Sequence, residues 1–398
     1  MHRLGIAGGQ QAVQGAQLGA VGEVACAGPL RPSFKRVAMT YRTAFRAGPA
    51  RSRPPRASRW ALAIGLALVP LAAHAWAPGG HQSVGAIADE LLKGSGAESQ
   101  VKSILGPISL QQASVWADCA KGVTSSDDVT FTYHASPAVF PECVPFDTPQ
   151  WKPVFESFVA RNWKQCGTAH DSEKCHHQYH YADISNRRDR YGAGAAGANR
   201  HDIVHAALAA IEVLRGRPAP PPFEIAGKRE ALLILSHYVG DIHQPLHVVA
   251  IYLDANGKTV DPDSVGLHAD NDTTGGNSIL DGAQKLHHEW DEIPAKLLVG
   301  ATAFDNVVAR SRTVAETPGD MSTWPTQWAS ETVRVGRAAF TGLRFASKTA
   351  HGGKPLWTVT GTHTSAYRTR ADSLKTAQLA AAGARLAQLL MAIWPDTP

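Results

Sequence analysis

The sequence predicts a mostly α-helical protein, and three observations carry that expectation. Apolar residues recur at three- and four-residue spacing, strand-like alternation is scarce, and the C-terminal stretch is dense in alanine and leucine, the strongest helix formers. The period first shows in Ser83–Leu105, where Val84, Ile87, Ala88, Leu91 and Leu92 share one stripe. Ser109–Cys119 continues it after Gly106-Pro107, and Asp202–Leu214 has the same spacing. Phe223–Val239 carries Leu232, Leu233, Leu235 and Val239 and must end before Gln244-Pro245, because proline disfavours helix at the residue preceding it. Gln284–Leu298, Trp328–Phe340 and Ala371–Trp394 complete the helical set. Between them Lys121–Gln150, Arg187–Arg200 and Tyr252–Leu280 read as irregular, the last with a turn signal in Gly275-Gly276-Asn277.

The N-terminal region reads differently. Four arginines between Arg51 and Arg59 precede the apolar run Ala61–Ala73 and then Ala73-His74-Ala75, which is the grammar of a secretory signal peptide. The run is 13 residues long and contains Pro70, too short for a bilayer that needs roughly 20. Cleavage after Ala75 is therefore expected, giving a secreted or periplasmic protein without a membrane anchor. Residues 1–38 are rich in Gly, Ala and Gln, lack apolar periodicity and precede Met39, so they read as a non-native or disordered extension. The expected organisation is thus extension 1–38, signal peptide 39–75, and one helical domain 76–398.

Processing would also invert the charge. Ten of the 39 Lys+Arg but only one of the 34 acids lie in 1–75, so residues 76–398 hold 29 basic and 33 acidic residues. The chain's bulk basicity belongs to the leader, and any affinity for polyanions must come from a local site. No obligate protein partner is implied. Four cysteines remain beyond residue 75: Cys119, Cys143, Cys166 and Cys175. In an exported chain they suggest two disulfides with three possible connectivities. Cys166–Cys175 would close a small polar loop and leave Cys119–Cys143. A zinc site is not favoured, since no C-x-x-C pair occurs.

The chemistry concentrates in His237-Tyr-Val-Gly-Asp241, where a four-residue spacing puts both polar groups on one helix face, within reach of one ion. His247 follows just past the Pro245 stop, where the chain can turn back; His243 lies off that face. His287 and Asp291 repeat the four-residue pair, with His288 as a neighbour. One such pair is ordinarily a solvated helix face. Two in one exported helical chain, with His247, point to metal. Asp118, after Trp116-Ala, and His180, between Tyr179 and Tyr181, would not be singled out on local grounds.

In order, Trp76-x4-His81, Trp116-Ala-Asp118, His180-Tyr-Ala-Asp183, His237-Tyr-Val-Gly-Asp241-x2-Gln-Pro-Leu-His247, Gly-Gly-Asn277 and His287-x2-Trp-Asp291 resemble the single-strand-specific zinc nucleases. This is the type I family that includes mung bean nuclease and shares a superfamily and helical fold with zinc phospholipase C. The resemblance spans about Trp76 to Trp394. It implies three zinc ions: one held by Asp118, His180, His237 and Asp241, a second by His247, His287 and Asp291. The third would take His81, the other oxygen of Asp241, and the amine and carbonyl of Trp76 once cleavage frees them. The implied reaction is endonucleolytic hydrolysis of single-stranded DNA and RNA to 5′-phosphate products, with possible 3′-nucleotidase activity. Asp118 would also orient the attacking water. Lys121 would contact phosphate where relatives carry arginine, Tyr181 would stack a base, and Asp183 would hydrogen-bond it.

The chain departs from fungal relatives in the 61 residues between Asp118 and His180, which read as a disulfide-stapled surface insertion or, alternatively, a lid that alters substrate range. Two other functions compete with nuclease. A zinc phospholipase C is disfavoured by the short Trp76–His81 spacing and by aspartate at Asp291. A non-catalytic zinc-binding protein would need neither Lys121 nor Tyr181.

Overall fold

The computed structural model describes residues 76–166 and 174–396, all within the second of the two units into which the chain divides, Val69–Pro398. The expected extension and signal peptide lie outside the described residues. Helix dominates the described residues and sheet is sparse, as the periodicity predicts.

The expected helix 83–105 is two. Helix α1 (Pro78–Leu92) starts with proline in its first turn, where no backbone donor is needed. It stops before Gly94-Ser95, because Ser95 accepts from Glu98 N at 3.2 Å while the Glu98 carboxylate accepts from Gly94 N at 2.8 Å. These bonds open α2 (Gly96–Leu105); the apolar stripe runs across the break and conceals it. Segment 109–119 likewise divides into α3 (Leu110–Ala113), opened by a Ser109/Gln112 capping box, and α4 (Trp116–Ala120).

The 119–180 connection is not a bare surface insertion. Strands β1 (Val123–Thr124) and β2 (Thr132–Tyr133) pair antiparallel, and helix α5 (Lys152–Arg161) follows. Phe155 and Phe158 of α5 are buried against Trp116, ring centroids 4.9 and 5.2 Å apart. Their burial makes the segment an extension of the main core. Both expected disulfides, Cys119–Cys143 and Cys166–Cys175, are formed. The short α6 (Cys175–Gln178) returns the chain toward the centre.

Strand β3 (Ile184–Ser185) leads to α7 (Ile203–Leu214), whose N-terminus is capped by the Asp202 carboxylate. Next come α8 (Lys228–His243), α9 (Pro245–Val248) and β4 (Val249–Ala250), which pairs parallel with β3. Helix α8 starts later and ends later than the expected 223–239 segment. After α10 (Pro262–Val265) come β5 (Ile279–Asp281), β6 (Gln284–Lys285) and α11 (Leu286–Asp291). Helices α12 (Phe304–Ser311) and α13 (Trp324–Gly336) precede β7 (Arg344–Phe345), β8 (Thr349–His351) and β9 (Lys354–Thr360). Helix α14 (Ser365–Ile393) closes the fold.

Strand β9 is a departure from the sequence reading. It gathers β5, β7 and β8 around itself, with Trp357 and Val359 pointing into the core. Helix α14 is long and apolar enough to cross a membrane by length and composition, yet Leu379, Leu386, Leu389 and Leu390 are buried in the core that α1 and α8 share.

Candidate metal centre

Helix α8 sets the centre. Every residue from Glu230 to His243 on it is buried, so the polar side chains it carries need partners inside the protein. His237 and Asp241 stand one turn apart, with Nε2 of His237 3.1 Å from Oδ2 of Asp241. Between them is Gly240, where a Cβ would lie 2.8 Å from His81 Nδ1; the missing side chain lets α1 press His81 against α8. His81 stacks on His237 with ring centroids 3.8 Å apart, and its Nε2 is 3.2 Å from Asp241 Oδ1. Just ahead of α1, the buried Trp76 donates its indole N–H to the Gly240 carbonyl at 2.8 Å.

The other groups arrive from elsewhere in the chain. Asp118, on α4, puts Oδ1 3.7 Å from both His180 Nδ1 and His237 Nε2. The same oxygen is 2.7 Å from the Lys121 ammonium, one turn on. His180 Nδ1 is 3.0 Å from Asp241 Oδ2 and from His237 Nε2. Pro245 ends α8 and begins α9, which turns His247 back toward the centre with its Nδ1 3.6 Å from Asp241 Oδ1. His247 Nε2 meets His287 Nε2 at 3.1 Å, and His287 and Asp291 stand one turn apart on α11, 3.6 Å between Nε2 and Oδ2. Three groups result whose donor atoms lie within 4.8 Å of one another: His180 with His237 and Asp241, His247 with His287 and Asp291, and His81 with Asp118 and His237. The third differs from the expected set, because His81 closes on Asp118 and His237 while keeping its contact to Asp241.

Hydrogen bonds orient these rings. Nδ1 of His237, His247 and His287 lies 2.6, 2.7 and 2.7 Å from the carbonyls of Ser114, His180 and Gly275. A carbonyl only accepts, so each Nδ1 carries a proton, and in His247 and His287, which burial keeps neutral, Nε2 presents a lone pair. Nε2 of His247 and of His287 then face each other as two acceptors, which repel unless a cation lies between them. A proton does not serve at neutral pH: burial, with His247 beside it, pushes His287 down to about 3. Two nitrogens on one tetrahedral ion would lie roughly 3.3 Å apart, close to what is seen. Asp241 Oδ1 and His81 Nε2 are likewise buried without a hydrogen bond. The donor set fits divalent cations.

Electrostatics says the same. Burial lowers His81 to about 4 and, with Lys121 nearby, holds His180 well below its ordinary value. Burial also opposes protonation of His237, but the charges of Asp241 and Asp118 outweigh it and raise that group. Burial works against the Asp241 carboxylate, and His237 and His247 overcome it to hold the acid well below the usual range. Asp291 goes the other way: burial drives it well above the usual range, Gln244 opposes this, and Asp241 and Asp118 add to it. The centre thus holds an ionised Asp241 among imidazoles most of which burial keeps neutral, a set of lone pairs and an anion suited to a cation.

The centre opens onto a cavity of about 400 Å³ walled by Lys121, Tyr181, Asp183, His247 and His287, with Lys285, His177 and Thr274. Gly275 is at its rim with φ +56, and a Cβ there would sit 2.4 Å from the Leu246 carbonyl. Only glycine lets this backbone approach closely enough to hold His287.

The S1/P1 nuclease family model matches residues 159–395, more than half of the chain. The chain belongs to the S1/P1 nuclease family. No curated protein matches it. Of the candidate ligands in this S1/P1 nuclease, His180, His237, Asp241, His247, His287 and Asp291 fall inside the matched stretch. Trp76, His81 and Asp118 precede it, and it is geometry that brings them to α8.

Some participants were not legible in the S1/P1 nuclease sequence. Gln244, part of the helix stop and of the quoted motif but given no role there, donates to Asp291 Oδ1 at 2.5 Å. Ser114 contributes a carbonyl, for which residue type gives no signal. Lys285, two residues ahead of His287, lines the cavity without being part of the quoted motif. His243 is turned away, its ring between the Val239 carbonyl and Arg385 at 2.7 and 2.9 Å, and His288 is half-buried 3.9 Å from Glu292. Both stay outside the centre, as their spacing implies.

Proposed function

We propose that this nuclease is a zinc-dependent phosphodiesterase that cleaves single-stranded DNA and RNA to 5′-phosphate products, with 3′-nucleotidase activity on mononucleotides. The observation that carries the reading is a buried three-part His/Asp centre opening onto a cavity that also presents a lysine and a tyrosine. Zinc would be held by Trp76, His81, Asp118, His180, His237, Asp241, His247, His287 and Asp291. When bound, it supplies Lewis acidity that activates water near neutral pH and offsets phosphodiester charge.

The protein's own groups do the rest. The backbone carbonyls of Ser114, His180 and Gly275 hold three imidazoles in register. Lys121 offers its ammonium to a phosphate oxygen from beside Asp118, as a point charge rather than the two-pronged contact an arginine would make. Asp118 accepts a hydrogen bond from, and so orients, the attacking water. Tyr181 stacks an unpaired base and Asp183 hydrogen-bonds it, which explains tolerance of sequence together with preference for single strands. The two disulfides support an oxidising, secreted or periplasmic location. Neither a membrane anchor nor an obligate protein partner is part of this reading.

The test is a substrate panel on protein beginning at Trp76 and loaded with zinc: single-stranded DNA, single-stranded RNA, duplex DNA and phosphatidylcholine, each repeated after chelation. Hydrolysis of the single strands, abolished by chelator and restored by zinc, is expected. Cleavage of phosphatidylcholine alone would make the protein a phospholipase, and metal binding without hydrolysis would make it a zinc-holding protein.

Tyr181→Ala gives a narrower check. Loss of one stacked base costs roughly 1–3 kcal/mol, so kcat/KM on a dinucleotide should fall about 10- to 100-fold while zinc content stays unchanged. An unaltered rate would leave Tyr181 as a packing residue.

A further inference from the structure

A second groove adjoins the candidate site. It has a volume of about 370 Å³, shares Lys121 and His177 with the main cavity, and continues along Thr124, Ser125, Trp163 and Lys174. All of these residues belong to the 119–180 connection, and no carboxylate lines the groove. That is notable in residues 76–398, where acids outnumber Lys+Arg by 33 to 29. A groove with a lysine at either end and no acid runs against the balance of the surface around it.

The Lys174 charge is positioned and only loosely paired. Its ammonium lies 4.2 Å from the centre of the Trp163 ring and 4.0 Å from Asp128 Oδ1. Asp128 is already engaged: Trp163 Nε1 donates to Oδ1 at 2.5 Å and the Lys164 ammonium meets Oδ2 at 2.5 Å. Lys174 therefore rests against an aromatic face at the edge of the carboxylate's reach, and its side chain is 35% exposed. Thr124, on β1, is exposed beside it.

We propose that the substrate groove continues from Lys121 onto the 119–180 segment, where Lys174 takes the phosphate of a nucleotide flanking the scissile bond. This deepens, and rests on, the nuclease reading. Under it the described part of the connection walls the substrate groove and favours oligonucleotides over dinucleotides. The ligand class is a single-stranded polyphosphodiester, bound through its backbone and without regard to sequence.

The experiment measures kcat/KM on a dinucleotide and on a single-stranded octanucleotide over a range of salt, for zinc-loaded wild type, Lys174→Ala, Lys174→Arg and Thr124→Glu. Lys174→Ala should lower the octanucleotide value about 3- to 10-fold and reduce the log–log salt slope by about 0.7, the amount expected for one phosphate contact on a single strand. The dinucleotide value should not change. Arginine at 174 should restore the octanucleotide value, and Thr124→Glu, which adds an acid to an exposed position in the groove, should lower it without touching the dinucleotide. Equal losses on both substrates, or none on either, overturn the groove. Failure of wild type to hydrolyse either nucleic acid overturns the nuclease reading itself, so the two failures are distinct.

Discussion

Replacing Asp241 by alanine is expected to remove more than one zinc per chain and to reduce hydrolysis by more than about 100-fold, beyond the range typical for groups that merely support metal ligands. The physical reason is that its two oxygens face different partners. Oδ2 lies 3.0 Å from His180 Nδ1 and 3.1 Å from His237 Nε2. Oδ1 lies 3.2 Å from His81 Nε2 and 3.6 Å from His247 Nδ1. One carboxylate thus joins histidines from three parts of the chain, and its loss leaves buried imidazoles without the anion they surround. Elemental analysis of purified variant checks the claim. A full zinc complement in Asp241→Ala would show that no ion depends on this bridge. Asp291→Ala is a useful contrast: it touches only His247 and His287 among the histidines of the centre, so it should cost one ion.

The second large effect concerns the residue ahead of Trp76. Trp76 is buried, its indole is bonded to the Gly240 carbonyl, and Ala77 N donates to the Asp291 carbonyl at 2.9 Å. The backbone at 76–77 is therefore anchored to α8 and α11, the two helices that each carry a His/Asp pair of the centre. A free α-amine at Trp76 has a pKa near 8 and can deprotonate to become a donor near neutral pH, whereas an amide nitrogen cannot. Protein carrying one extra N-terminal methionine is expected to hold two zinc ions firmly and the third poorly, with hydrolysis reduced and binding of single strands largely kept. Mass spectrometry must confirm that the methionine remains. Three firmly held zinc ions and full activity in that protein would remove the amine from the ligand set.

Parts of the centre were legible because they are local. His237 with Asp241, and His287 with Asp291, are four-residue pairs, and helical geometry alone puts each pair on one face. His243, two residues past Asp241 and so on another face by the same geometry, is turned toward Arg385. The sequence pointed to two disulfides but left three connectivities open; the favoured one, Cys166–Cys175 with Cys119–Cys143, is the one the fold adopts. The break at Gly94-Ser95 was missed although its chemistry is also local, because apolar spacing was weighed above the capping signal of Ser95 and Glu98.

By itself, then, the sequence determined the helical class, the chemical identity of the donors and the two pairs that one turn of helix creates. It could also name Asp118, His180 and His81, but only through ordered resemblance, since nothing near them in the chain distinguishes them. Their convergence was decided by tertiary structure: α1 reaches α8 because Gly240 has no side chain, α4 packs on α5 through Trp116, Phe155 and Phe158, and Phe158 in turn meets His176 of α6. The fold alone also decided which nitrogen each histidine presents. The partners that set those tautomers are the carbonyls of Ser114, His180 and Gly275. Every residue has a backbone carbonyl, so no residue type announces this role, and only the folded path of the chain brings the right one within hydrogen-bonding distance.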